Sequence, residues 1–281
     1  MVLGSLGRYW KIYAFIPVIV LVGALFIIFN NIFTNGYLIE RDVELSGGKM
    51  ITAELIGDIS NEEVAALRNE MPYASIHVTR GVTNSIIIEI PFDMDENEVI
   101  EKISEYGVTD TSVKTVGPAL GEIFWEQAQL AIILAFVFMS LLVLFLFRTL
   151  VPCGIVLFSV ITDLTITIAV MSIVGIPLSL AVLAALLMII GYSVDTNILL
   201  TSEMIKRREK SVYERYMSGV KTGLMMSFTT LAALLALYLV SGSFVLEQIA
   251  LVLLIGLIVD MPTTWLTNGG LLRWWLTRKG A

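Results

Sequence analysis

Sulfur, histidine and charge are what this sequence has least of. Cys153 is the only cysteine among 281 residues, so no disulfide can close within the chain. His77 is the only histidine, and without a Cys/His cluster no zinc-type site can be assembled. Both are read as structural residues, with no metal or cofactor implied. Only 15% of the residues are charged, whereas soluble domains average about 25%. With 57% hydrophobic residues and a mean hydropathy of +0.84, the composition excludes a soluble enzyme. It also gives no basic surface for nucleic acid. Lysine and arginine are missing from the interiors of the long apolar runs.

The charge that is present is unevenly divided. Residues 34–120 hold 16 Asp/Glu against 6 Lys/Arg, and the remainder holds 9 against 12. The acidic block is therefore one extramembrane domain. The other residues form six apolar runs, roughly 13–33, 124–147, 151–174, 178–201, 222–240 and 245–266. Each is long enough to cross a hydrocarbon core, which takes about 20 residues. The first follows Arg8 and Lys11 like a signal sequence, but it is long and no Ala-x-Ala site follows, so it is expected to remain as a first membrane helix.

Basic residues orient the spans. Arg8, Lys11, Arg148, the 206–221 cluster, Arg273, Arg278 and Lys279 fall on one side, and the short turns on the other side hold none. The expected topology has both termini in the cytoplasm and residues 34–120 outside. The expected divisions are 1–33 (N-terminus and first span), 34–120 (outer domain), 121–270 (spans two to six) and 271–281 (cytoplasmic tail). Trp10, Trp125, Trp265, Trp274 and Trp275 lie near span ends, where interfacial anchors belong.

Within 34–120, strand-like and helix-like stretches alternate. Strands are expected at 50–55, 75–80, 85–90 and 109–116. Helices are expected at 60–71, where Ser60 and Glu63 have capping-box spacing, and at 95–106. Residues 81–84 read as the hairpin turn. The order βαββαβ is that of the ferredoxin-like α+β unit. No nucleophile–base pair or metal spacing occurs in it, and a docking role is expected.

The chemistry-bearing residues are three aspartates inside the spans: Asp163, Asp260 and above all Asp195, in the apolar run LMIIGYSVDTNILLTS. Each costs about 2.5–3.5 kcal/mol at a helix centre on insertion scales. Such a carboxylate either holds helices together or carries protons or ions. Helical spacing puts Ser159 and Thr167 on the face of Asp163, Met188 and Gly191 on that of Asp195, and Gly256 and Thr264 on that of Asp260. Ser227, Thr229, Thr230 and the Gly219/Gly223 pair mark close helix approach.

These pieces, in this order, resemble the SecF subunit of the SecD/SecF protein-export membrane proteins, relatives of the RND transporters. The resemblance is carried by Ser46-Gly47-Gly48, Val116-Gly117-Pro118, Asp163 in VITDLTIT, the run Gly191-Tyr192-Ser193-Val194-Asp195-Thr196-Asn197, and Ser227-Phe228-Thr229-Thr230. In many SecF sequences the fourth-span signature places Asn and then Asp after Gly-Tyr-Ser-x. Here the aspartate, Asp195, comes one place earlier, as in the SecD version. The resemblance implies an RND-like half of six membrane helices with an inserted ferredoxin-like domain, in a prokaryotic cytoplasmic membrane. It implies a non-enzymatic subunit pairing with a SecD-like partner and the Sec channel to promote export of unfolded preproteins, driven by the proton-motive force. Asp195, Asp163 and Asp260 would then form the proton or ion relay, supported by Gly191, Ser193, Thr196, Asn197, Thr167, Ser227, Thr229 and Thr230. The rival expectations are half of an RND-type small-molecule or lipid exporter, and an assembly factor of the translocon without ion coupling.

Overall fold

The computed structural model describes residues 10–57, 59–80, 84–206 and 211–278. Among them are six helices long and apolar enough to cross a membrane. The first is α1 (Trp10–Asn35). A one-turn helix, α2 (Val43–Ser46), leads into a four-stranded sheet of β1 (Gly48–Leu55), β2 (Ser75–Arg80), β3 (Asn84–Ile90) and β4 (Val108–Val116). Helix α3 (Asn61–Glu70) lies between β1 and β2, and α4 (Glu96–Ser104) between β3 and β4. The other spans are α5 (Pro118–Phe147), α6 (Leu150–Val174), α7 (Leu180–Lys206) and α8 (Val212–Val240). The sixth runs through α9 (Phe244–Pro262), a π-helical turn (Thr263–Asn268) and α10 (Gly269–Arg278).

The strands stand in the order β2-β3-β1-β4, every neighbouring pair antiparallel. Alternation in β1 and β3 sends Ile51, Ala53, Ile86, Ile88 and Ile90 to one face, where they bury against Leu67 of α3 and Val99 and Ile103 of α4. The Ser60–Glu63 capping box is formed in full and starts α3 one residue after Ser60. The turn residues 81–83 lie outside the described residues, as do Arg8, Arg207, Arg208, Lys210 and Lys279 of the basic set.

The motif Ser46-Gly47-Gly48 packs directly on Val116-Gly117-Pro118. Gly47 adopts φ +82°, and a Cβ there would stand 2.6 Å from the Pro118 Cα. Gly121, one turn into α5, would collide in the same way with the Gly47 amide. The sheet is tied to the spans a second time, where Arg41 and Leu178 form a parallel bridge.

The helices α6 and α7 are the most enclosed of the spans. Gly175 ends α6 at φ +78°, and the turn Gly175-Ile176-Pro177 returns the chain into α7. Gly219 of α8 meets Leu200 and Glu203 of α7, and Gly223 abuts the Trp265 indole. Trp265 is therefore a core residue, 4% exposed, and not the interfacial anchor expected from its place near a span end. Residues 271–278 of the expected tail are helical, with Leu272 and Leu276 buried against the ends of α7 and α8.

Candidate functional site: a polar core between three spans

The interior of an apolar bundle contains one cluster of oxygen-rich side chains. Asp163 of α6 and Asp260 of α9 are 0% and 1% exposed. Their carboxyls interact with each other across the helix interface. Asp163 accepts hydrogen bonds from Ser193 Oγ at 2.6 Å and from the Thr263 hydroxyl. Asp260 accepts from Thr264 Oγ1 at 2.9 Å and from Thr196 Oγ1 at 3.1 Å. Below them the Asn268 amide donates to Asn197, whose own Nδ2 donates to the Ser193 carbonyl at 2.7 Å. Every donor to the two carboxyls is a neutral hydroxyl.

Local geometry explains how three helices converge. Ser193, Thr196 and Asn197 share one face of α7, three and four residues apart, and all are fully buried. In the sixth span, Pro262 has no amide hydrogen to donate, and the turn after it widens to π geometry. That widening keeps Thr263, Thr264, Thr267 and Asn268 all buried. Thr264 reaches Asp260 one turn away, as the spacing predicted.

The third aspartate stands apart. Asp195 is exposed, on a stripe of α7 with Leu180, Ala184, Met188 and Gly191, facing away from the carboxyl pair. The side of α7 that enters the core is set by Ser193, Thr196 and Asn197. The one-residue register difference seen in the sequence thus places a threonine, and not the aspartate, on Asp260. Thr167 and Ser159 are buried beside Asp163, each with a hydroxyl that has no hydrogen-bond partner. Ser227 is buried and accepts from Tyr192 OH at 2.9 Å. Thr229 and Thr230 turn their hydroxyls back to the carbonyl of Met226 in their own helix. A cavity of about 80 Å³ between α7, α8 and α9, lined by Tyr192, Thr230 and Gly256 among others, reaches Asp260.

Residue reading alone did not single out Thr263, Asn268 or Tyr192. The available signal was Pro262 followed by two threonines inside an apolar run. Arg215 was counted with the topogenic cations, but it is 4% exposed and donates to the Met204 carbonyl at 2.8 Å, capping the end of α7. Among the described residues no three His, Cys, Asp or Glu side chains gather as a metal site. The oxygen donors of the core suit a proton or a hard cation.

A bundle of six helices long and apolar enough to cross a membrane, with a buried pair of carboxyls between them and a four-stranded antiparallel sheet beside it, defines the class as a polytopic membrane protein. Residues 96–278 match the family model for the C-terminal part of the protein-export membrane proteins SecD/SecF. The chain is 40% identical over 267 residues to the protein-export membrane protein SecF of Pyrococcus furiosus, covering 94% of this chain and 90% of that one. It is 38% identical over 277 residues to SecF of Methanothermobacter thermautotrophicus, covering 96% and 94%. The chain belongs to the SecF family of protein-export membrane proteins. Its fold matches the crystal structure of SecDF, a translocon-associated membrane protein of Thermus thermophilus, with a TM-score of 0.77 at 22% identity, covering 96% of this chain and 38% of that longer one.

Proposed function

We propose that this chain works as one half of an export complex. It pairs with a SecD-like subunit, associates with the Sec channel, and promotes late export of unfolded preproteins using the proton-motive force. The observation that carries this reading is the carboxyl pair of Asp163 and Asp260, buried between three spans with only neutral donors. Charge at such a place is tolerated when a proton, a cation or a basic group from elsewhere neutralises it. A site that must be filled to be stable can bias the packing of α6, α7 and the sixth span when filling changes.

Asp195 supplies the pairing half of the proposal. An exposed carboxylate among Ala184, Met188 and Gly191 is unfavourable against lipid, while the small residues on the same stripe permit close helix approach. A second six-span subunit seated on this face would cover Asp195 and supply its partner. Residues 34–120 would lie outside the membrane, with both termini in the cytoplasm, as the basic bias favours. The outer unit would be ferredoxin-like, a reading supported by its βαββαβ order and antiparallel strand arrangement.

Tagged chain extracted from its native membrane tests the pairing. Co-purification of a SecD-like protein is the expected result, with recovery falling several-fold for Gly191→Phe while the variant's own melting is unchanged. Recovery only as a self-dimer would favour half of an RND-type exporter. Unchanged export in both Asp163→Asn and Asp260→Asn would favour an assembly factor without ion coupling.

A further inference from the structure

The strongest unexplained feature outside the spans is a second carboxyl pair, at the joint between sheet and bundle. Asp42 is 1% exposed and Glu89 7%. Their side chains interact directly, yet Asp42 Oδ1 and Glu89 Oε1 each have no hydrogen-bond partner. Asp42 is the N-cap of α2, and its backbone carbonyl accepts from the Leu45 and Ser46 amides, but its side chain makes no cap hydrogen bond.

We propose that Asp42 and Glu89 form a proton-binding site outside the membrane, and that the bound proton holds the sheet docked on the spans. Asp42 is one of the residues through which docking is made. Its N–H donates to the Leu178 carbonyl at 3.0 Å, and the Leu178 N–H donates to the Glu40 carbonyl at 2.7 Å. Leu178 lies in the turn between α6 and α7, the two spans that carry Asp163 and the α7 hydroxyls. A charge appearing at Asp42 therefore acts at the clasp itself.

Among the described residues no cation neutralises the pair. On its own segment, Glu40 and Glu44 add negative charge. Arg41 lies over the Trp125 ring, 4.7 Å from its centroid. Lys114 of β4 is bound to Glu44 at 2.5 Å, and Lys49 of β1 is bound to Glu96. Opposite Glu89 the sheet presents Met50 and Ser75, which carry no charge. Further along β2, His77 bonds to Ser75 at 3.0 Å and rests on Phe244, and Glu247 of α9 lies beside Thr79. On the α5 side Glu122 joins Glu40 and Arg41, the two residues before Asp42, in lining a cavity of about 600 Å³.

Burial first, and then the charge of Asp42, pushes the Glu89 carboxyl up to about 9. Burial also raises Asp42. When the joint opens, both acids return to the ordinary carboxylate range. The docked state thus binds more protons than the open state between that range and about pH 9, and docking weakens as pH rises across the window. An acidic exterior, the condition of a membrane holding a proton gradient, keeps the joint closed. The physiological sense rests on the outward orientation proposed above. The test does not, because in detergent both faces of the protein meet the same pH.

Hydrogen exchange at the amides of Asp42 and Leu178, corrected for intrinsic rate, is measured on the full chain in detergent from about pH 6 to about pH 9. Protection should fall by about tenfold or more in the wild type and stay flat in Glu89→Gln, which keeps a donor toward Asp42. Asp42→Asn, which leaves Glu89 buried but removes the charge beside it, should move the fall in protection to lower pH, and it serves if Glu89→Gln fails to fold. A flat wild-type profile, an equal slope in folded Glu89→Gln, or an unmoved profile in folded Asp42→Asn overturns the proposal.

Discussion

Gly47 shows how much of this fold hangs on one backbone position. It combines φ +82° with a 2.6 Å approach to Pro118, so any side chain meets both strain and backbone. Gly47→Ala should cost about 2–4 kcal/mol, from backbone strain and overpacking together, read as a lower Tm of the purified chain. Gly191→Ala is the contrast, because its Cβ would enter open space, and its melting should stay within about 0.5 kcal/mol of the wild type. The sequence made both glycines visible but not the difference between them, since the closeness of Gly47 to Pro118 exists only after the sheet has folded. The aspartates divide in the same way. Their presence inside spans was legible from hydropathy. Which of them meet was not, because a residue's direction on α7 depends on which face the neighbouring helices cover. Ser193, Thr196 and Asn197 decide that face, and Asp195 is left on the opposite side.

Among the elements, the sixth span departs most from the run that announced it. An apolar stretch with a proline suggests a span that ends near 266. The chain instead passes through a π-turn and stays helical to Arg278. Periodicity could not reveal this, because a π-turn shifts the register by one residue and erases the 3.6-residue pattern at the point where it matters. The turn joins the sixth span to α7 through Asn268 and Asn197. Asn268→Leu leaves the Asn197 carbonyl buried without its donor, at an expected cost of about 1–3 kcal/mol. The double variant Asn197→Leu/Asn268→Leu should recover part of that loss in the same thermal melt, and a strictly additive result would mean the two amides act independently. The outer strands and helices were read nearly to the residue, because the Ser60–Glu63 capping box and two-residue alternation are local signals. Even β4, whose run of exposed residues carries little alternation, was read to within one residue of its start.

Considered whole, the described residues form a bundle with two buried carboxyl pairs, one in the core and one at the joint between sheet and spans, each touching α6, α7 or the turn between them. The proposed topology puts the sheet outside the membrane and both termini in the cytoplasm. In a Cys153→Ala background, Thr111→Cys should react with an impermeant thiol reagent added outside intact cells, and Thr277→Cys should react only after permeabilisation; the reverse pattern would invert the orientation. The central claim is that the Asp163–Asp260 pair couples ion or proton movement to export. Its most direct measurement is the rate of export of a secreted reporter, with and without an uncoupler, in cells whose only copy of this subunit carries Asp163→Asn or Asp260→Asn. With the variant chain still recovered at wild-type level with its partner, export should fall about tenfold, within the range of coupling energies of about 1–3 kcal/mol, and the residual rate should no longer respond to the uncoupler. Export at the wild-type rate with undiminished uncoupler sensitivity in both variants would contradict it.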